Sequence, residues 1–368
     1  MTGHRSAPLN VRAFADSRRA RLVDVLNDLA LDGVLMTDAR EIMHFTGAAP
    51  VSPGPSCLLV RSNGETTLIT GAGDSLHHVD TIRQYAWHAG GTIFASLLPA
   101  LVAEAQTSLG IGRARLGMQC ESAPAGLLSA FDHASWVPLD AELIELQRNK
   151  DAIALSGISR AIAANLAAYS AVQQAIRPGV TELEVFAAGW KGATLNAGHK
   201  LLHDGDYRCG AINGPARDRQ IEPGELYIVD AWTQCDGYWS DLSHTFPVSP
   251  TPTLLQQELL AHVASVHERI RHLLVAGTRG DDLWRAIDAA LREHPALAHT
   301  GLAHHGGHGI GTRIHEPPDI NPGVSDTLRD GDVICIEPGG YTPLARAGVR
   351  IEQMYRITDA GPVCLSEP

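Results

Sequence analysis

The stretch Leu226–Phe246, LYIVDAWTQCDGYWSDLSHTF, constrains the fold of this chain more than any other part of its sequence. Its Asp236-Gly237 pair lies between two β-prone runs. Such a pair is the strongest short-range sign of a β-hairpin, because both turn residues must tolerate positive φ. A two-residue turn would place Cys235 opposite Tyr238. The stretch therefore predicts two long antiparallel strands in a fixed register.

The same register places two carboxylates on one face of the hairpin. Trp232 would lie opposite Asp241, so that Asp230 and Asp241 become diagonal neighbours, roughly 7–8 Å apart at the backbone. Two carboxylates that converge inside an apolar sheet repel each other, and burying them unpaired costs several kcal/mol. We therefore expect a cation beside them.

Composition excludes several classes of partner. The 368 residues suit two domains, with roughly 150 residues per domain as a guide. The net charge of -12 and a pI near 5.8 argue against nucleic acid or an anionic membrane surface as the main partner. The six cysteines form no CxxC pair, which indicates reduced thiols. No apolar run reaches roughly 18 residues and the N-terminus lacks an apolar signal region, so we expect a cytoplasmic protein.

The pattern of the first part of the chain is typical of a small α/β domain. Composition shifts at about Trp136–Lys150, and we place the boundary there, with an N-terminal domain over 1–145 and a second domain over 146–368. The elements predicted in the first domain are helices over Arg18–Asp32 and Thr92–Gln106 and strands over Val34–Met36, Ser56–Val60, Thr66–Ile69 and Arg115–Met118.

The sequence of the second domain predicts helices clustered between groups of strands. We expect an α+β arrangement, an antiparallel sheet flanked by helices. A long helix should begin at Asp151 and end before Pro178-Gly179. The predicted features that follow are a capping box of Thr181 and Glu184, a helix over Leu254–Val275, a helix capped by Asp281, and strands over Val333–Ile336 and Val349–Ile357.

Three more candidate ligands stand in apolar or glycine-rich surroundings. Glu337 ends the strand Val333–Ile336, Glu352 follows Val349-Arg350-Ile351, and His308 lies among the glycines of residues 306–311. With Asp230 and Asp241 they make four carboxylates and one imidazole. Such a set suits paired divalent ions such as Mn²⁺, Co²⁺, Fe²⁺ or Zn²⁺. Two ions roughly 3.5–4 Å apart can share a water, lower its pKa and polarise a carbonyl.

These residues resemble the motifs of the pita-bread metallohydrolases, namely methionine aminopeptidase, aminopeptidase P, prolidase and creatinase. The N-terminal domain also resembles that of creatinase and prolidase, so that the resemblance covers most of the chain. The matching motifs are Asp230, Gly237-Tyr238-Trp239-Ser240-Asp241, Gly307-His308-Gly309-Ile310-Gly311, His315-Glu316-Pro317-Pro318, Glu337-Pro338-Gly339 and Val349-Arg350-Ile351-Glu352.

The resemblance implies a pita-bread catalytic domain with a smaller creatinase-like domain, two divalent metal ions and a homodimer. It implies that Asp230 and Asp241 bind one ion and that Asp241 bridges to a second ion held by His308. Glu337 and Glu352 would complete the pair, and Glu337 would take the proton of the bridging water.

The resemblance also assigns roles around the metals. His315 would stabilise the tetrahedral oxyanion, and His304 matches a histidine that lines the leaving-group pocket in aminopeptidase P. Arg350 would support Glu352 and the sheet. We also expect four residues to contact the substrate, namely His304, Asn213, Arg350 and Trp232.

The chain departs from the family pattern where the peptidases place a substrate-contacting histidine. Residues 209–219 contain no histidine. Asn213 is closest to that position by spacing, and His203 is the nearest histidine upstream. An asparagine cannot carry a proton through the cycle near neutral pH. Trp232, on the face that carries the metals, would crowd the substrate pocket.

Three functions are compatible with these features. The first is a Xaa-Pro dipeptidase or aminopeptidase that cleaves small proline-containing peptides. The second is a creatinase-like hydrolase or lyase that acts on a small non-peptide compound, which the missing histidine favours. The third is a binding module without catalysis, which the retention of all five ligand positions disfavours.

Overall fold

The computed structural model describes residues 9–52, 54–74, 76–86 and 94–367. The chain forms two compact units, Met1–Gln147 and Arg148–Pro368. The limits 1–145 and 146–368 remain our proposal for the two domains.

The described residues of the first unit form the elements α1 Val11–Asp28, β1 Gly33–Met36, α2 Ala39–Thr46, β2 Cys57–Arg61, β3 Thr66–Gly71, β4 Thr81–Tyr85, α3 Phe94–Ser108, β5 Arg115–Met118, α4 Ala125–Leu128, β6 Ser135–Pro138 and α5 Asp140–Arg148. These strands make a six-stranded mixed sheet in the order β4-β3-β2-β1-β5-β6. β1 pairs antiparallel with β2 and parallel with β5. Two apolar clusters hold helices against the sheet. One includes Leu22, Leu26 and Phe45, and the other includes Leu97, Leu101 and Leu127.

The first helix begins earlier and ends earlier than the predicted Arg18–Asp32. Asn10 caps it, accepting a hydrogen bond from the backbone N–H of Ala13 at 3.2 Å. The helix is followed by Ala30, which adopts a positive φ of 51°. The predicted start of the next long helix at Thr92 lies outside the described residues.

The elements of the second unit are α6 Ala152–Ala175, α7 Glu182–Ala197, β7 Leu202–Cys209, β8 Leu226–Cys235, β9 Tyr238–Pro247, α8 Leu254–Ile270, α9 Gly280–Arg292, β10 Gly307–Gly309, β11 Glu316–Ile320, β12 Val333–Ile336, β13 Gly339–Thr342, β14 Ala347–Arg350, β15 Gln353–Arg356 and β16 Val363–Cys364. Within the described residues 148–367 the strands form three antiparallel sheets, ordered β7-β8-β9, β11-β10-β12-β15-β16 and β13-β14. A core of leucine, isoleucine and valine side chains packs α8 and α9 against the strands.

The predicted hairpin is confirmed. Cys235 pairs with Tyr238 and Trp232 with Asp241. Asp236 and Gly237 adopt φ 52° and 84°, as a two-residue turn with two positive φ values requires.

Helix α6 is long and apolar enough, by length and composition alone, to cross a membrane. Half of its most apolar window is buried, however, and its polar groups bond to the hairpin. Asn165 donates to the carbonyl of Ala231 at 2.6 Å and Tyr169 to that of Val229 at 3.2 Å. This packing is that of a core helix.

Three predictions for this unit were wrong in detail. Asp281 does not cap α9, since Arg279 occupies the N-cap position and Asp281 accepts hydrogen bonds from the Arg279 and Arg285 guanidinium groups. The predicted strand Val349–Ile357 is broken at Ile351-Glu352, because β14 pairs with β13 while β15 pairs with β12. The helix predicted over Leu254–Val275 is α-helical to Ile270 and continues as a short 3-10 turn.

Candidate metal centre

Asp230 and Asp241 project from the hairpin into one cluster with Glu352. One carboxylate oxygen from each of these three residues lies within 4.8 Å of the others. The side chain of Glu352 reaches this point because the break between β14 and β15 brings its backbone to the hairpin. The Glu352 N–H donates to the carbonyl of Ser243 at 2.9 Å.

His308 and Glu337 come from the neighbouring sheet. His308 lies on β10, paired with Cys335 of β12, and Glu337 follows that strand. The glycine at 307 has a packing reason, since a Cβ there would collide with the carbonyl oxygen of Cys335. His308 Nε2 lies 3.9 Å from Asp241 and 4.0 Å from Glu352. The five predicted ligands are therefore brought together.

The four carboxylates are all buried, between 1% and 8% exposed. Burial and the charges of Asp230 and Glu337 raise the pKa of Asp241 well above its usual range. Burial, Asp241 and Asp230 do the same to the pKa of Glu352. Such mutual repulsion is the electrostatic signature of a site that a cation would stabilise.

Two observations test whether divalent metal ions fit these residues. Oδ1 of Asp241 and Oε1 of Glu352 are buried without a hydrogen-bond partner in the described part of the chain. The Nδ1 atom of His308 donates to the carbonyl of Gly309 at 3.0 Å. Its Nε2 lone pair is therefore free toward the carboxylates, which is how a neutral histidine binds a metal. The residues fit divalent ions.

Three further histidines surround this cluster. His315 stacks on His308 with ring centroids 3.7 Å apart. His304 contacts the Tyr341 hydroxyl through Nε2 at 2.8 Å. His305 lies 2.7 Å from Glu337, a contact that sequence reasoning missed, since a histidine beside a predicted one gave no distinguishing signal.

Arg350 does not support Glu352 as expected. Its guanidinium instead contacts the carboxylate of Asp230, donates to the Tyr341 hydroxyl at 2.8 Å and donates to the carbonyl of Ile212 at 3.1 Å. Although burial opposes it, the proximity of Tyr341 and Asp230 raises the pKa of Arg350. Arg350 is thus a permanent positive charge that orients the first carboxylate.

The cluster opens into a cavity of about 560 Å³. The predicted substrate-contacting residues Trp232, Asn213, His304 and Arg350 all line it, and so does His315. Asp206, which was not predicted, also lines it, because β7 pairs Asp206 with Asp230.

His203 does not reach this cavity. It points to the opposite face of the sheet, where its ring nitrogens contact Thr233 at 2.8 Å and Tyr207 at 2.7 Å. His203 therefore does not supply the histidine that is missing at the position of Asn213.

Comparisons with known proteins agree with this arrangement. Residues 156–359, more than half of the chain, match Metallopeptidase family M24. The chain is 27% identical over 357 residues to the uncharacterized peptidase YqhT of Bacillus subtilis, covering 93% of this chain and 95% of that protein. It is 31% identical over 202 residues to the Xaa-Pro dipeptidase of Pyrococcus furiosus, covering 54% of this chain and 57% of that protein.

The solved structure of a Xaa-Pro dipeptidase from Bacillus anthracis superimposes with a TM-score of 0.81 at 22% identity, over 96% of this chain and 98% of that one. At this identity the likeness concerns the fold alone. It confirms the predicted α+β, pita-bread architecture with a smaller N-terminal α/β domain. This chain belongs to Metallopeptidase family M24, and it is a metal-dependent hydrolase of that family.

Proposed function

We propose that this protein is a dinuclear-metal Xaa-Pro dipeptidase or Xaa-Pro aminopeptidase that cleaves small proline-containing peptides. The observation that carries the proposal is the convergence of carboxylate oxygens from Asp230, Asp241 and Glu352 within 4.8 Å, beside the free Nε2 of His308. Relatives that carry the Xaa-Pro dipeptidase name support the substrate class.

Asp230, Asp241, His308, Glu337 and Glu352 would hold the two ions, with Mn²⁺ as our leading choice. Divalent ions in such a site supply Lewis acidity and make water a stronger acid. The remaining chemistry belongs to the side chains around them.

Glu337 is proposed as the base that takes a proton from the attacking water. Nδ1 of His305 lies 2.7 Å from Oε1 of Glu337, whereas Oε2 lies 3.7 Å from Nδ1 of His304. Because that Nδ1 donates to the carbonyl of His305 instead, Oε2 is the atom that we propose takes the proton. Burial raises the pKa of Glu337 while the hydrogen bond with His305 lowers it, and a carboxylate with a raised pKa is a better base. The same carboxyl group can then give the proton to the leaving nitrogen.

His315 is proposed to stabilise the oxyanion. Burial and the neighbouring His305 lower the pKa of His315, so its ring is neutral near pH 7 and one ring nitrogen carries a proton that can be donated. Stacking on His308 fixes its plane beside the proposed metals. A positioned donor of this kind is typically worth about 10²–10³ in kcat.

The cavity supports a small substrate. Its volume of about 560 Å³ falls within the range of roughly 300–1,000 Å³ that small-molecule pockets span. His304 contacts Tyr341 and lies 3.7 Å from Glu337, so His304 and Tyr341 would contact the leaving group. Trp232 and Asn213 also line the cavity.

One observation favours a second candidate, a creatinase-like hydrolase or lyase of a non-peptide compound. Asn213 lines the cavity at the position expected for a substrate histidine, and His203 faces away from it. An amide there suits hydrogen bonding to a neutral polar substrate rather than proton transfer.

Assays of Xaa-Pro dipeptides, Xaa-Pro tripeptides and creatine with several divalent metals test the proposal. We expect turnover of at least one prolyl peptide, loss of it in Glu337→Ala, and full activity in the exposed control Glu258→Ala. No prolyl turnover, together with another hydrolysis that Glu337→Ala abolishes, would assign the second function.

We further propose a cytoplasmic homodimer. All six cysteines are free thiols, the state that a reducing compartment maintains. The dimer rests on family resemblance. Light scattering of the purified protein and cell fractionation test the two statements separately.

A further inference from the structure

A second group of metal-binding side chains lies at the tip of the hairpin. His199, Cys235 and Asp236 each offer one ligand atom, and these atoms all lie within 4.8 Å of one another. Cys235 is five residues from Asp230 along an extended strand, roughly 16 Å away. It also faces the opposite side of the sheet from Asp230, so the two clusters are separate.

We propose that His199, Cys235 and Asp236 bind one zinc ion at a site distinct from the candidate metal centre. The five residues assigned to the candidate metal centre include no thiol, although the Cys335 sulfur lies within 4.8 Å of a donor atom of His308 and of Glu352. A thiolate, an imidazole and a single carboxylate select zinc over harder ions such as Mn²⁺ or Mg²⁺.

The distances between donors fit a tetrahedral ion. With zinc–sulfur, zinc–nitrogen and zinc–oxygen bonds of about 2.3, 2.0 and 2.1 Å, tetrahedral donors lie roughly 3.4–3.6 Å apart. The Nε2 atom of His199 lies 3.7 Å from the Cys235 sulfur and 3.1 Å from Oδ1 of Asp236. The Cys235 sulfur lies 3.9 Å from Oδ2 of Asp236. Small side-chain adjustments would bring the sulfur, Nε2 and Oδ1 to bonding distance.

The hydrogen bonds around the cluster orient these donors for a cation. Nδ1 of His199 donates to the carbonyl of Ala197 at 3.0 Å, which directs the Nε2 lone pair toward Cys235 and Asp236. Arg160 donates to Oδ2 of Asp236 at 2.9 Å and leaves Oδ1 for the ion. Outer partners of this kind are typical of zinc sites.

Charge and position suggest what the ion would do. Binding would release the Cys235 proton to solvent, and thiolate and carboxylate together would neutralise Zn²⁺. The ion would join the end of α7 to the hairpin whose strands carry Asp230 and Asp241. It would therefore stabilise the fold by mass action.

Cobalt(II) is the probe for the thiolate. Protein freed of metal by chelation is titrated with Co²⁺, and the sulfur-to-cobalt charge-transfer absorption is followed. We expect a band that Cys235→Ser abolishes and that Cys335→Ser and Cys364→Ser retain. Absence of any such band, its survival in Cys235→Ser, or its loss in Cys335→Ser would overturn the proposal.

A second variant guards against a folding defect at the buried Cys235. His199 is exposed, so His199→Gln should fold normally. We expect it to weaken Zn²⁺ binding roughly tenfold or more and to remove one zinc per chain from the stoichiometry after dialysis. Equal zinc content and an equal zinc-induced rise in Tm in His199→Gln and wild type would contradict the site.

Discussion

The Nδ1 atom of His305 lies 2.7 Å from Oε1 of Glu337. Although burial opposes the shift, the hydrogen bond and charge of Glu337 raise the pKa of His305. The imidazole thus holds one oxygen of the proposed base. We propose that His305 positions Glu337.

Replacing His305 tests this role. We expect His305→Gln to lower kcat on the best prolyl substrate by about 10- to 100-fold with little change in KM, because Glu337 loses its orienting partner. Steady-state kinetics at saturating Mn²⁺ measure it, with the exposed His299→Gln as control. A kcat equal to that of wild type would remove His305 from the mechanism.

Glu352→Gln should stabilise the metal-free protein. Burial and two neighbouring carboxylates raise the pKa of Glu352 well above its usual range, so a neutral isostere relieves repulsion. A gain on the order of 1 kcal/mol moves Tm upward by about 2–4 °C in a domain of this size. Addition of Mn²⁺ should raise the Tm of this variant less than it raises the Tm of wild type.

Calorimetry with chelator and with Mn²⁺ measures both effects, and Glu258→Gln, at an exposed position, is the control. A lower Tm for chelated Glu352→Gln than for chelated wild type would show that Glu352 is already satisfied within the protein.

Because of His203, we expect the folded protein to become less stable in mild acid. Burial lowers its pKa from 6.5 to about 4. Between those pH values the unfolded state binds the proton and the folded state does not. The contribution of His203 to the free energy of unfolding is therefore fully present above pH 6.5 and is lost as the pH falls toward 4. This contribution is on the order of 3 kcal/mol.

His203→Gln keeps hydrogen bonding toward Thr233 and Tyr207 but cannot titrate. We expect a smaller difference between its unfolding free energies at pH 7 and pH 4.5, measured with urea on chelated protein. The control is His133→Gln, whose side chain is 78% exposed. An unchanged pH dependence in His203→Gln would show that other groups cause the acid sensitivity.

We propose that Trp232 limits the size of the substrate. Trp232→Ala enlarges the cavity beside Asp206, so kcat/KM for Phe-Pro relative to Gly-Pro should rise by about tenfold or more. Trp190→Ala, on α7 and partly exposed, is the matched control. If Trp232→Ala and Trp190→Ala show the same ratio of kcat/KM for Phe-Pro to that for Gly-Pro, Trp232 does not contact the N-terminal residue of the substrate.

The sequence was informative where one local rule decided the geometry. Asp236 and Gly237 fixed the hairpin turn, and strand alternation then placed Asp230 and Asp241 on one face. The capping box at Thr181 and Glu184 was likewise confirmed. These features depend on neighbours within a few residues.

The sequence failed where the outcome depended on strands far apart in the chain. Asp206 reaches the cavity because β7 pairs with β8. Arg350 contacts Asp230 because β14 does not continue into β15 as one strand. The break at Ile351-Glu352 has no local signal, since the residues on both sides favour strand. It is nevertheless what brings Glu352 to the hairpin.

The metal content of the purified protein decides whether the site is dinuclear. Protein freed of metal and dialysed against Mn²⁺, which the thiolate-containing cluster disfavours, should hold about two ions per chain, as a dinuclear site requires. Asp241→Asn, which removes the proposed bridging carboxylate, should hold one ion or fewer. About one Mn²⁺ or fewer per wild-type chain, or equal content in Asp241→Asn, would show that these residues do not form a dinuclear centre.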